Sequence, residues 1–236
     1  MKFAAAFACV SALALCLATE AAAQVERGLP STSAKSSGTF QNVEALPGNF
    51  APEARAFEFE LNGFSYHIAA NGNGRRTKGD KTRRFNLQLD GSDYIENIYF
   101  SEHAGDLLLV CGVTNGVDGA GFIVRLEQPS MRARWKQHLP SFNVGQPLRE
   151  DHFLYLTAIG FVGKLDLETG EYAWKHDGLY DTRERASQAF TTFDTPEIKG
   201  DTVLFKDGVL FKDKAVYNPR KTVVVNKKSG KIISIE

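Results

Sequence analysis

One phrase of strand and turn recurs along this chain, and it constrains the fold more than any other feature. Residues 150–157 read as a strand and 160–166 as a second, while 167–175 run through a Glu-Thr-Gly turn into a third strand ending in Trp174 and Lys175. The same order appears upstream in 105–110, 121–126 and 132–136, where Trp135 and Lys136 close the third strand. It returns downstream in 200–205, 221–226 and 228–234. Asp106, Asp151 and Asp201 are 45 and 50 residues apart, and Trp135 and Trp174 are 39 apart. A period of this size is that of a propeller blade, a small antiparallel sheet that buries its faces against neighbouring sheets.

The rest of the chain from residue 56 agrees with this period. Short apolar or alternating runs at 57–61, 64–69, 85–89, 94–100, 107–113, 122–126, 153–158, 161–167, 203–205, 222–225 and 232–235 are separated by Gly, Asp and Asn. β-Branched and aromatic residues dominate them, and these are strand lengths with turn chemistry between. The best helical stretch is 183–189, too short to hold an apolar stripe over three turns. The expected fold class is all-β, a small or incomplete β-propeller of antiparallel sheets.

The string Leu-Asp-Leu-Glu-Thr-Gly-Glu-Tyr-Ala-Trp-Lys at 165–175 resembles the blade repeat of pyrroloquinoline-quinone-type β-propellers. That family includes quinoprotein dehydrogenases and the non-enzymatic outer-membrane assembly propeller. The likeness is good over 150–175, fair over 105–136 and 200–235, and poor before residue 100. It implies packing roles for Gly170, Trp174 and Trp135, the turn glycine and strand-end indoles of the repeat. Gly230 matches the turn glycine, but Ser234 stands where the indole belongs. Residues 56–236 number 181, which at roughly 45 per blade gives about four blades. Members of the family close with roughly seven or eight. Three arrangements follow: a compact ring closed by pairing 57–61 with the last sheet, an open array, or half of an assembly completed by a partner.

The chain divides into an address, a tether and a domain. Residues 1–23 read as a secretory signal peptide: Lys2, an apolar run to Ala18, then Ala21, Ala22 and Ala23, with cleavage expected between Ala23 and Gln24. Residues 24–55, rich in Ser, Thr, Ala, Gly and Pro, read as a flexible linker. Residues 56–236 form the propeller-like domain, and the expected location is the periplasm. Cleavage removes Cys9 and Cys16, so Cys111 stands alone in an apolar run, as a core residue.

Motifs for chemistry are sparse. His67, His103, His138, His152 and His176 fall at no metal-ligand spacing, and one cysteine cannot build a thiolate zinc site. No Gly-x-Ser-x-Gly elbow occurs. The glycine-flanked stretch 74–82 departs from a phosphate loop, because Asp80 is inserted before Lys81 and Thr82. The segments 90–93 and 118–121 read as turns. No catalytic residue, cofactor or metal is expected.

Charge is the remaining signal. The chain holds 28 Lys and Arg against 28 Asp and Glu, which excludes duplex binding by bulk charge. The zero hides segregation. Residues 71–84 carry Arg75, Arg76, Lys78, Lys81, Arg83 and Arg84 against Asp80, and 199–236 carry nine basic against four acidic residues. The Gly- and Asn-containing stretch 71–84 reads as a basic loop, a contact for an acidic protein surface or, peripherally, for anionic lipid. The expected function is an exported, non-enzymatic protein-binding module, most concretely an inhibitor or immunity-type protein that blocks a toxin or another envelope partner. The alternatives are a scaffold for envelope assembly and a lectin-like or quinone-binding propeller.

Overall fold

The computed structural model describes residues 39–46, 54–128, 130–179, 193–206 and 222–236. The leader, most of the linker and the weakly helical stretch 183–189 lie outside them. The described residues form seventeen strands and no α-helix.

The strands make four antiparallel sheets in chain order. The first contains β2 (Ala56–Leu61), β3 (Phe64–Ala69), β4 (Asn73–Lys78) and β5 (Lys81–Asn86). The second contains β6 (Tyr94–His103), β7 (Asp106–Thr114), β8 (Gly119–Leu126) and β9 (Ala133–Leu139). The third runs β10 (Leu148–Glu150), β11 (Phe153–Ala158), β12 (Phe161–Asp166) and β13 (Tyr172–His176). The fourth runs β14 (Glu197–Lys199), β15 (Thr202–Lys206), β16 (Thr222–Asn226) and β17 (Ile232–Ile235). Each is an up-and-down meander, and successive strands of a sheet are two to six residues apart except β15 and β16, which 207–221 separate. Asn62-Gly63 and Ala104-Gly105 both take positive φ at both central positions, which suits the right-handed twist of the flanking strands.

Three apolar layers bind the sheets face to face. Phe57, Phe59, Tyr66 and Ile68 of the first meet Leu107, Leu109, Cys111, Phe122 and Val124 of the second. Leu108, Val110 and Ile123 on its other face meet Leu154, Leu156 and Phe161. Tyr155, Val162 and Trp174 meet Val203, Phe205, Val223 and Val225. The middle sheets therefore bury both faces, which is why β7 is apolar without alternation. Cys111 is fully buried, and burial pushes its thiol up.

Among the described residues no apolar cluster joins the fourth sheet to the first. β17 pairs with β16, and the other edge of β2 bridges Ala45, so 57–61 does not close a ring with the last sheet. The outer face of the first sheet is polar: Glu58, Glu60, Ser65, His67, Arg75, Thr77, Thr82 and Arg84 lie there by register. The described residues form an incomplete β-propeller of four blades, with no strand pairing between the first and the fourth among them.

One further strand, β1 (Gln41–Val43), pairs antiparallel with β6 and forms an edge of the second sheet. It lies in the stretch read as a tether, so that reading does not extend to residues 39–46. Phe40 is buried between the second and third sheets, and its carbonyl accepts from Gln146 at 3.1 Å.

The repeat is a latch between blades. Arg125 and Lys164 sit opposite Trp135 and Trp174, each pair beside a bulge. Arg125 Nη1 (2.8 Å) and Trp135 Nε1 (3.2 Å) both donate to the Leu167 carbonyl in the turn of the next blade. Lys164 Nζ and Trp174 Nε1, each at 3.2 Å, donate to the Lys227 carbonyl. Arg76 repeats the contact once more, donating to the Gln128 carbonyl. The indoles lie against turn glycines. A Cβ on Gly170 would stand 2.6 Å from the Trp135 ring, and one on Gly230 2.4 Å from that of Trp174. Gly170 and Gly230 also take φ of 76° and 72°, which favours glycine independently.

The two terminal blades depart from this scheme in complementary ways. In the fourth, the equivalent pair is Val224 and Ser234, which offers neither a cation nor an indole. In the first, Arg83 stands opposite Arg76 where the indole would be. The second blade's turn then carries Met131 in place of glycine, at φ 57° and buried in the layer between the first two sheets. A side chain fills the space only where no tryptophan is offered. Met131→Gly is therefore expected to cost about 2–4 kcal/mol from lost burial, less a small relief of backbone strain. Adding Arg83→Trp should recover part of it, as read by urea unfolding of both variants.

Candidate functional site: the basic hairpin

Residues 73–86 form β4 and β5, joined by the two-residue turn Gly79-Asp80. The expected loop is thus a hairpin, and 85–89 is not a strand beyond Asn86. The turn has Gly79 at φ 53° while Asp80 is not in the left-handed region, the pattern of a type II′ turn. Phe85 lies over Gly74, where a Cβ would be 2.2 Å from its ring. These contacts hold a segment whose polar composition conceals a strand.

The hairpin brings all six predicted basic residues together, but in different roles. Arg75 faces Arg84, Arg76 faces Arg83, and Lys78 faces Lys81 across the two strands. Arg76 is half-buried and committed: it donates to Gln128, by the carbonyl and at 3.0 Å to Oε1, and lies 4.4 Å over the Phe64 ring. Tyr66 joins that cluster through Gln128 at 2.9 Å, and burial pushes its hydroxyl up to about 12. Arg76 is therefore a latch residue rather than an exposed contact. Lys78 is exposed and lies 4.6 Å over the same ring. Arg75, Lys81, Arg83 and Arg84 are exposed, and among the described residues none of these four is in an ion pair.

The outer face around them is polarised. Glu58 on β2 holds His67 at 2.8 Å, Arg75 is opposite His67, and Arg84 is opposite Arg75. One row across the sheet thus passes from acid to base, with the positive end at the strand edge.

Other charged groups pair within a blade or between neighbouring blades. Asp106 accepts from Arg125 at 2.7 Å and Arg134 at 2.6 Å, and Glu168 accepts from Arg125 at 3.0 Å. Arg149 donates to His103 Nδ1 at 2.8 Å, so the proton on that ring sits on Nε2, which donates to Glu168 at 2.7 Å. The Arg125 hydrogen bond, then that of His103, lowers the Glu168 carboxyl. Glu150 is lowered by Lys227, 2.8 Å away. His152 lies over Phe153 at a strand start, with Asp166 at 3.9 Å. Among the described residues no cluster of His, Cys, Asp and Glu could hold a metal ion. Of the two segments read as turns, Asp90–Asp93 is one, closed by a 2.9 Å bond, but 119–121 belong to β8 and the turn before it is 115–118.

The latch cations were missed by motif reading because single basic residues in strands carry no motif. Their spacing is visible in retrospect: Arg125 precedes Trp135, and Lys164 precedes Trp174, by ten residues each.

No family model and no curated protein matches the chain. Solved structures do. The computationally designed Ika8 protein aligns with 86% of this chain and 60% of its own, at 10% identity and a TM-score of 0.48. The quinohemoprotein alcohol dehydrogenase of Comamonas testosteroni aligns over 76% of this chain and 34% of its own, at 13% identity and 0.45. BamB from Moraxella catarrhalis aligns over 83% and 67%, at 12% identity and 0.35. The chain spans about a third of the dehydrogenase and three fifths of the designed protein. Its blade repeat resembles that of the pyrroloquinoline-quinone-type β-propellers.

Proposed function

We propose that this chain is a non-enzymatic protein-binding module of the periplasm that docks an acidic partner on the hairpin Asn73–Asn86. The most concrete form of this reading is an inhibitor or immunity-type protein that binds and blocks a toxin or another envelope protein. The supporting observation is the set of three like-charge pairs directly across β4 and β5 with no acid partner among the described residues. Each such pair works against the fold by roughly 0.2–1 kcal/mol. Edge protection against aggregation explains basic residues on β5. It does not explain Arg75 and Lys78, since β4 is paired on both sides.

The reading separates binding from stability. Arg75→Thr with Arg84→Thr is expected to leave the melting temperature unchanged or slightly raised, because repulsion is removed. The same variant should weaken partner binding by about tenfold or more and flatten its salt dependence. Co-purification from the native periplasm, with mass spectrometry and titration of the partner so identified, reads both. Equal affinity and equal salt dependence in wild type and variant would sink the proposal.

A further inference from the structure

We infer that the hairpin receives its partner by strand addition, with an extended acidic segment pairing along the free edge of β5. This rests on the proposed protein-binding role and names the form the partner takes. Three observations carry it.

The first is topological. β5 ends the strand order of its sheet, with β4 on one side and, among the described residues, no strand on the other. The second is register. In a two-residue hairpin the pair flanking the turn exchanges both backbone hydrogen bonds, and bonded and non-bonded pairs then alternate. Lys78 and Lys81 flank the turn. Lys81, Arg83 and Phe85 therefore direct their backbone groups to β4, and Thr82, Arg84 and Asn86 direct theirs outward. An added strand would find donors and acceptors at every second residue.

The third is charge complementarity. Arg83 and Lys81 lie on one face of the edge strand and Arg84 on the other, all exposed and unpaired with acid among the described residues. A strand bearing Glu or Asp opposite them would place carboxylates on both faces of the ladder, where opposite-charge cross-strand pairs are favourable. Main-chain bonds supply affinity in this mode and side chains supply selection. A lipid headgroup or folded acidic surface would use the charges but not the edge.

A proline at position 82 separates the two. Thr82→Pro removes one outward N–H from an edge strand, a place where proline is tolerated, and leaves every charge intact. The probes are a fluorescein-labelled ten-residue peptide alternating Glu pairs with Val pairs, so that carboxylates fall on both faces, a peptide of equal charge interrupted by prolines, and phosphatidylglycerol vesicles. Fluorescence anisotropy with the full-length protein should show the alternating peptide binding at least tenfold tighter than the interrupted one. Thr82→Pro, checked for its circular dichroism and melting temperature, should abolish that difference. Arg84→Glu should weaken both peptides. Equal binding of the two peptides by wild type, no binding of either, unaltered binding by folded Thr82→Pro, or vesicle binding in preference to the alternating peptide would each overturn strand addition. If Thr82→Pro has no effect while Arg84→Glu does, the acidic-partner reading survives without it. If neither substitution matters, both fail. Should Thr82→Pro not fold, the alternating peptide N-methylated at every second residue replaces it and must bind at least tenfold more weakly.

Discussion

Replacing Trp174 with alanine is expected to destabilise the protein by about 3–5 kcal/mol and to release the fourth blade while the others stay folded. Trp174 is nearly buried, packs edge-on against Phe205 and tilts on Tyr155. It covers Gly230 and donates to the Lys227 carbonyl. Alanine therefore opens a cavity and leaves the turn carbonyl of Lys227 with Lys164 as its remaining side-chain donor. The fourth blade has only one apolar interface among the described residues, so its loss need not propagate. In a stack whose units contact only neighbours, stability is a sum of local and nearest-neighbour contributions. Hydrogen exchange should show β14–β17 exchanging rapidly in the variant, with β6–β8 still protected. Uniform loss of protection across all four sheets would refute this. Gly230→Val should mimic the effect from the other side of the contact.

Asp106→Ala is expected to cost about 3–5 kcal/mol, spread over a wider region. The Asp106 carboxylate is buried and holds two guanidiniums, those of Arg125 and Arg134. Arg125 is itself buried and makes the latch to Leu167. Removing the acid leaves a buried cation whose one acid partner among the described residues is Glu168, which is largely exposed. Arg125→Met should cost a similar amount, because it leaves the buried Asp106 carboxylate with the half-exposed Arg134 alone. Asp106→Ala with Arg125→Met should be more stable than Asp106→Ala alone. Chemical denaturation of the three variants forms a double-mutant cycle, and additive losses would contradict the coupling.

These residues also show what can be read from sequence. The strands at 153–158 and 232–235 are legible to the residue, since apolar and β-branched runs between turn residues leave little alternative. Gly170, Trp135 and Trp174 are legible through the repeat. The hairpin at 73–86 is not, because Arg, Lys, Asn and Gly outweigh any β-pattern there. It is held by pairing to β3 and by Phe85 over Gly74. β1 is hidden for another reason: three residues acquire strand geometry only from β6, whose paired residues lie more than fifty positions along the chain. The basic cluster is legible as composition, while its division into a half-buried Arg76 and exposed neighbours needs the register.

The short strand β1 gives the two ends of the molecule unequal mechanical character. It joins β6 through Gln41–Val43, and Ala45 then bridges Phe57, so one strap of backbone crosses from the second sheet to the first. The C-terminal blade has no such strap among the described residues and ends in a strand bonded on one side only. Tension applied between the termini would therefore be borne unequally. Hydrogen bonds of β17 would part singly, like a zip opened from its tail. The strap would resist until β1 sheared from β6 as a unit. Of these two ends, one is held to two sheets and the other to a single strand.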